Sequence, residues 1–81
     1  MKFKLYTDAV LARDIPEERL CRGDLVKLVD YHTTPKGEPG YSIEIFNALG
    51  ETITVTSVRE SEIEPLRADE VLSVRPLVSV A

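Results

Sequence analysis

The sequence predicts an all-β fold: a small antiparallel barrel, closed or nearly closed, of five to six strands with one short helical turn near residues 16–20. Its apolar runs are short, rich in Val, Ile and Tyr, and bounded by Gly and Pro. No stretch repeats apolar residues at spacings of three and four, as an amphipathic helix does. Closure is expected because it hides the edges of a small antiparallel sheet.

Residues 8–15 are compatible with a helix or a strand, since Asp8 could cap a helix. We favour a strand because eight residues are few for a helix. Residues 16–20 are predicted to form one helical turn, with Pro16 at its start and two glutamates near its positive end. A Gly-Asp turn then leads into a strand over residues 25–31, where Val29 breaks the alternation and indicates a bulge or a strand covered on both faces.

Residues 33–40 hold two prolines and two glycines and are predicted to form a loop. Residues 41–47 then alternate as a strand with one face of Tyr41, Ile43 and Ile45. Residues 48–50 form a short hairpin connection to a partner strand over residues 51–58.

The carboxyl-terminal third predicts two further β segments. Residues 61–66 indicate a turn followed by a short strand, and residues 70–80 indicate a β-rich stretch that Pro76 makes an edge or a break. We expect residues 71–74 to close the barrel and residues 77–81 to be loose or bound to a partner. An uncovered apolar strand is prone to aggregate, so pairing with a second copy is the alternative.

The length and charge of the chain limit its function. A chain of 81 residues has room for one domain, over residues 1–81, and for little more than its own core, which disfavours an enzyme with a deep cavity. The formal net charge of −4 disfavours nucleic-acid binding, which depends on cationic side chains. One cysteine and no long apolar run predict a soluble cytoplasmic protein without disulfides.

The residue types that carry chemistry are sparse. His32 is the single histidine, and Asp30 lies two residues before it on the same predicted strand face, so a catalytic pair is one hypothesis. The simpler interpretation is an exposed histidine where a strand meets a loop. Cys21 lacks an activating motif, and the glutamates of residues 60–64 are best explained as solvated charge. No phosphate-binding glycine motif occurs, so nucleotide binding has no support. With the simpler interpretations of His32, Cys21 and the glutamates, we predict no catalytic residues, no metal and no cofactor.

Several motifs together resemble a known family. The chain has L-x-R-G-D followed by V-x-L-V-D-Y, then G-Y-x-I-E-I-F-N-x-x-G-E-T-I and S-E-I-E-P-L. This order resembles SH3-like barrels of the KOW kind and, more closely, a family of small bacterial proteins catalogued as domain of unknown function 4926. The resemblance spans residues 8–77, and it implies an SH3-like barrel without implying an activity. Val26 stands where the KOW pattern has a glycine. The residues that carry the resemblance are Asp8, Val10, Asp14, Pro16, Glu17, Leu20, Arg22, Gly23, Asp24, Glu44, Phe46, Gly50, Val74 and Arg75.

Our first functional hypothesis is a non-enzymatic protein-interaction module, an accessory subunit or a neutralising partner of another protein. The hypothesis rests on the absence of a catalytic set, the surplus apolar tail and the aromatic residues near loops, because SH3-like barrels commonly bind peptides through aromatic residues that lie between loops. Whether Phe46 is exposed or packs beneath the last strand is open from the sequence. The residues predicted to contact a protein partner are Tyr31, His32, Tyr41, Phe46, Leu77, Val78 and Val80.

Two other functions are weighed against this one. The first alternative is a KOW-like nucleic-acid-binding barrel that uses Arg22, Lys27, Lys36 and Arg59 as a local basic patch. The second is an enzyme built on His32 and Asp30. A homodimer through the carboxyl-terminal strand is also compatible with the sequence.

Overall fold

The computed structural model describes residues 1–77 and confirms the all-β class. Five antiparallel strands form one sheet, and two isolated 3₁₀ turns, Pro16–Glu18 and Glu60–Glu62, are its helical elements within the described residues. The first turn confirms the helical turn predicted at residues 16–20. The strands are β1 (Asp8–Leu11), β2 (Leu25–His32), β3 (Gly40–Phe46), β4 (Thr52–Arg59) and β5 (Ile63–Glu64).

The spatial order of the strands is β4-β3-β2-β1-β5, with β4 and β5 at the two edges. The last strand therefore crosses the sheet to pair with the first, where Leu11 lies opposite Ile63. The second 3₁₀ turn makes this crossing between β4 and β5. Since β4 and β5 are not paired with each other, the sheet is open along these edges, and an SH3-like barrel stays an interpretation of this topology.

The core lies on one face of the sheet, as the alternating apolar residues of β3 predict. Tyr41 is fully buried at its centre, between Phe3 and Tyr31. Its hydroxyl group donates to a carboxylate oxygen of Glu60 at 2.9 Å and accepts the backbone N–H of Phe3 at 3.0 Å. These bonds satisfy a buried polar group that would otherwise destabilise the core. The buried apolar residues are Ala9, Leu11, Ile15, Leu20, Val26, Leu28, Tyr41, Ile43, Ile45, Val58 and Ile63.

The pairing of β2 with β3 shifts between Leu28 and Asp30. This irregularity is a bulge, the first of the two alternatives that the broken alternation at Val29 indicates. Leu28 is buried while Asp30 is exposed, because the extra residue changes which face the following side chains occupy.

The second 3₁₀ turn contains a buried carboxylate, Glu62. It accepts the backbone N–H of Arg59 at 2.7 Å and the side chain of Arg13, which lies beyond β1. Burial opposes ionisation of Glu62, but these hydrogen bonds and the charge of Arg13 outweigh it and hold the pKa of Glu62 below its usual 4.5. Glu62 therefore ties the end of β4 to the segment that follows β1.

The carboxyl-terminal segment differs from the prediction. Residues 65–77 contain no strand, so the predicted β stretch at 70–80 is wrong over its described part, and closure by residues 71–74 is not observed. The strand expected at residues 61–66 shortens to β5, which takes the free edge of β1. From residue 65 to residue 77 the backbone does not pair in the sheet.

Replacing Glu62 with Gln tests the role of this carboxylate. We expect a loss of about 1–3 kcal/mol of unfolding free energy at neutral pH, because a charged acceptor is removed from buried donors. The pKa of Glu62 is lower in the folded protein than its usual value of 4.5. The ionised carboxylate therefore stabilises the fold above pH 4.5, and this stabilisation disappears as the pH falls through the folded pKa. Measured by urea denaturation, the unfolding free energy of the wild type should fall more steeply with decreasing pH in that acidic window than the unfolding free energy of the Glu62→Gln variant.

Glu64→Gln is the matched control, since Glu64 is exposed on neighbouring β5. A change within about 0.5 kcal/mol is expected there. Equal effects of the two substitutions would show that the buried bonds of Glu62 do not stabilise the fold.

Candidate protein-binding groove

An apolar groove lies on the face of the sheet that points away from the core. Val10 and Leu25 are opposite each other in the pairing of β1 with β2, and their neighbours Leu11 and Val26 are buried on the other face. Successive side chains of a strand alternate between faces, so Val10 and Leu25 project outward. Phe46, at the end of β3, continues the same surface and is 40% exposed.

The carboxyl-terminal segment, residues 66–77, forms the opposite wall of this groove. The two walls border an open groove of ≈ 550 Å³, a volume within the range of sites that bind small molecules. Leu66 and Leu77 lie at either end of the segment and contribute to the lining. The groove is thus bounded by β1, β2, the end of β3 and the segment that follows β5.

The middle of this segment is not packed against the sheet. Val71 is 91% exposed, Val74 is 88% exposed and Leu72 is 69% exposed, although all three line part of the groove. A short chain that leaves this much aliphatic surface in water forgoes burial that ordinarily stabilises a fold. These side chains are therefore available to another molecule.

An ion pair between Arg75 and Asp24 anchors the segment to the sheet. The Nε of Arg75 donates to Asp24 at 2.8 Å, and its Nη2 donates to the second carboxylate oxygen in a bidentate arrangement. The same Nη2 also donates to the backbone carbonyl of Arg19 at 3.0 Å. Asp24 in turn accepts the backbone N–H of Cys21 at 2.8 Å, which fixes the carboxylate within the turn before β2.

The two charges of this anchor stabilise each other. Burial opposes ionisation of Asp24, but hydrogen bonds from Arg75 and the Cys21 amide, with the Arg75 charge, hold the pKa of Asp24 below its usual 3.8. The hydrogen bond to Asp24 also raises the pKa of Arg75. Both groups are thus ionised at neutral pH, and the anchor is intact there.

The predicted contact residues lie in three separate places. Phe46 and Leu77 line the groove. Tyr31 is half-buried with its ring centre 5.1 Å from that of Tyr41, and Tyr41 itself is in the core, so its side chain is not on a binding surface. His32 lies exposed at the other end of β2, away from the groove. The predictions for Val78 and Val80 fall outside the described residues.

The hypothetical pair of His32 and Asp30 is not joined by a hydrogen bond. His32 Nε2 lies 2.6 Å from the hydroxyl oxygen of Ser42, whereas Asp30 accepts the backbone N–H of Tyr31 at 2.9 Å. Within residues 1–77, no group of three or more His, Cys, Asp or Glu side chains is arranged to hold a metal ion.

The hypothetical basic patch is divided by acidic neighbours. Lys27 lies 3.6 Å from a carboxylate oxygen of Asp8, and Arg59 lies 3.6 Å from one of Glu62. These carboxylates oppose the approach of a phosphate backbone. Nothing in the described geometry favours the nucleic-acid alternative.

Sequence reasoning missed most of the groove. The sequence pattern places Val10, Leu25 and Leu66 in strands and indicates no binding role for them, and it does not predict that Asp24 pairs with Arg75. A signal was present, because both Asp24 and Arg75 are among the residues that carry the family resemblance.

The fold and the groove define a small all-β domain with an open apolar surface under an anchored carboxyl-terminal segment. Residues 5–65 match the model of a family described as Domain of unknown function (DUF4926), and the chain belongs to that family. The match ends before the anchored segment, whereas the resemblance predicted a span to residue 77. No curated protein and no solved structure matches the chain.

Among residues 1–77, no helix has the length and apolar character needed to cross a bilayer.

Replacing Asp24 with Asn tests the anchor. The neutral amide accepts a weaker hydrogen bond from Arg75, so we expect residues 71–74 to become more mobile, with lower ¹⁵N heteronuclear NOE values than in the wild type. In the wild type these values should stay unchanged down to the pH at which Asp24 is protonated, below its usual pKa of 3.8.

Arg67→Ala is the control for this experiment, since it removes an exposed ion pair with Asp69 near the start of the same segment. The mobility of residues 71–74 should not change in this variant. An Asp24→Asn protein with NOE values equal to those of the wild type would rule out the ion pair as the anchor.

Proposed function

We propose that this protein is a non-enzymatic protein-interaction module that binds an apolar segment of another protein in the groove. In this role it is an accessory subunit or a neutralising partner of the protein it binds. The observation that carries the proposal is the anchored but unpacked segment with Val71, Leu72 and Val74 exposed beside an open apolar surface. The proposal assigns no reaction to the chain, and its setting is the cytoplasm.

Burial of these side chains supplies a driving force for association. Fully burying one Val or Leu side chain contributes about 1.5–3 kcal/mol. Phe46 adds a partly exposed aromatic ring on the opposite wall, and aromatic residues including Phe are enriched at protein interfaces. A ligand segment that lies between the two walls would contact both sets of side chains.

The backbone of the carboxyl-terminal segment offers a second kind of contact. Residues 71–74 are outside any strand, and their N–H groups have no hydrogen-bond partner within residues 1–77. A segment with free backbone N–H groups and exposed aliphatic side chains can pair with an incoming strand. A partner strand added at residues 71–74 would supply the backbone hydrogen bonds of the β structure that the sequence pattern of residues 70–77 favours.

Charge indicates the chemistry of the partner surface around the groove. The chain carries a formal net charge of −4, and complementary charge speeds association and selects partners. We therefore expect a partner with an apolar segment set in a basic surface. Its binding should slow as the salt concentration rises.

Phe46→Ser tests the groove. The tagged wild-type protein, expressed in its native host, should recover one protein at a one-to-one ratio, which mass spectrometry identifies and which is then purified. Calorimetry with the two purified proteins should show binding that Phe46→Ser weakens about 10-fold or more, because truncating a residue that anchors an interface costs about 2 kcal/mol or more.

Leu49→Ser is the matched control, since Leu49 is an exposed apolar residue in the β3–β4 hairpin outside the groove lining. It should bind as the wild type does. Equal affinity of the Phe46→Ser and wild-type proteins, with both folded, would show that the groove is not the binding site. Recovery of no stoichiometric partner would contradict the proposed function itself.

A further inference from the structure

The sheet side of the groove is a row of apolar side chains that crosses the strands. Val10 lies opposite Leu25 in the pairing of β1 with β2, and continuing the register of β2 with β3 places Leu25 beside Phe46. Facing side chains of neighbouring strands share one face and lie within contact distance. Val10, Leu25 and Phe46 therefore form a continuous strip, the apolar row, opposite the wall made by the carboxyl-terminal segment.

A carboxylate lies at each end of the apolar row. At the β5 end, Glu64 is the residue opposite Val10. At the other end, Glu44 reaches toward β4, where its carboxylate accepts the hydroxyl group of Thr52 at 2.5 Å. Thr52 is the residue opposite Phe46 in the pairing of β3 with β4. The row is thus a stretch of apolar surface with acidic ends.

The cations near the row are held by other carboxylates. Lys27 lies opposite Glu44, but its ammonium group is 3.6 Å from a carboxylate oxygen of Asp8. Arg75, a cation in the groove lining, is held in the anchor described above. Among residues 1–77, Glu44 and Glu64 form no ion pair. A cationic group of a ligand can therefore meet these two carboxylates without displacing a cation of the chain.

The spacing of the strands sets the length of a ligand that spans both ends. Four strand spacings of about 4.8 Å separate β5 from β4, so the two acidic ends lie on the order of 20 Å apart. An extended chain advances about 3.3 Å per residue, and alternate side chains share a face. Two ligand residues that are about six positions apart therefore match the two ends and point the same way.

We propose that the groove binds an extended segment of the partner that has a basic residue at each end, six positions apart, with apolar and β-branched residues between them. This inference rests on the proposed function and names the chemistry of the ligand. The basic side chains contact Glu44 and Glu64, and the side chains between them on the same face pack on the apolar row. Those on the opposite face meet Val71, Leu72 and Val74 of the carboxyl-terminal segment.

Peptide titrations followed by ¹⁵N NMR test this ligand chemistry. The probes are three capped heptapeptides that alternate Thr and Val between two terminal residues, which are both Lys, both Gln or both Glu. The lysine peptide should shift the amide signals of Val10, Leu25 and Phe46. At low salt it should bind about 10-fold more tightly than the glutamate peptide, because like charges oppose binding at both ends. In about 0.5 M NaCl this preference should shrink, since exposed charges are screened.

Replacing both Glu44 and Glu64 with Gln assigns the preference to these carboxylates. Glutamine keeps an acceptor for the hydroxyl group of Thr52, so the fold should be retained. The preference for the lysine peptide should fall to about twofold or less, because the remaining charges of the chain are farther from the ligand ends. Asp30→Asn combined with Glu17→Gln is the matched control, since both carboxylates are exposed and lie outside the groove lining. This control has the same net charge and should keep the wild-type preference.

Equal affinity of the wild type for the three peptides, with shifts in the groove, would overturn the basic-ended ligand and leave the groove as an apolar binding site. An unchanged preference after substitution of Glu44 and Glu64 would refute their role. If no peptide shifts the groove amides, the inference also fails. The proposed function would still stand in each case if Phe46→Ser weakens binding of the partner recovered from the native host.

Discussion

The ion pair between Asp24 and Arg75 is the contact on which the candidate site depends. It joins the turn before β2 to a segment that begins after β5, so it closes a loop over the outer face of the sheet. Without it, residues 66–77 have few backbone contacts to hold them near Val10 and Leu25. The anchor is partly shielded from solvent and bidentate, and such pairs are stronger and more specific in geometry than exposed ones.

The anchored segment explains how a chain of this size keeps an open apolar surface. Its core uses one face of the sheet, with Tyr41 at the centre and Glu62 fixing the crossing from β4 to β5. The other face is left with Val10, Leu25 and Phe46, which the segment overhangs without packing on them. Ile45 belongs to the core and also lines the groove, whereas Val10, Leu25 and Phe46 lie on the outer face, so a substitution at these outer residues need not disturb the core.

The sequence predicts the regular elements well because their local patterns agree with their environments. The alternation of residues 41–47 gave β3 and the buried position of Ile43, and the break at Val29 gave the bulge in β2. The strand prediction for residues 70–77 is wrong for a physical reason. β propensity measures how well a side chain fits a pleated surface, and it does not supply a partner strand. The free edge of β1 is taken by Ile63 and its neighbour, so residues 65–77 remain outside the sheet. The groove was missed because it joins residues about fifty positions apart, and no local pattern reports such a contact.

Paramagnetic relaxation from one nitroxide label tests the placement of the anchored segment most directly. The label is attached at residue 72 through Leu72→Cys in a Cys21→Ser background, and signal loss is measured for every backbone amide. Placement over the outer face predicts strong broadening at Val10, Leu25 and Phe46, and little in the loop of residues 33–38 at the other end of β2. Weak and uniform broadening across the sheet, with random-coil shifts for residues 70–76, would contradict an anchored segment and with it the groove.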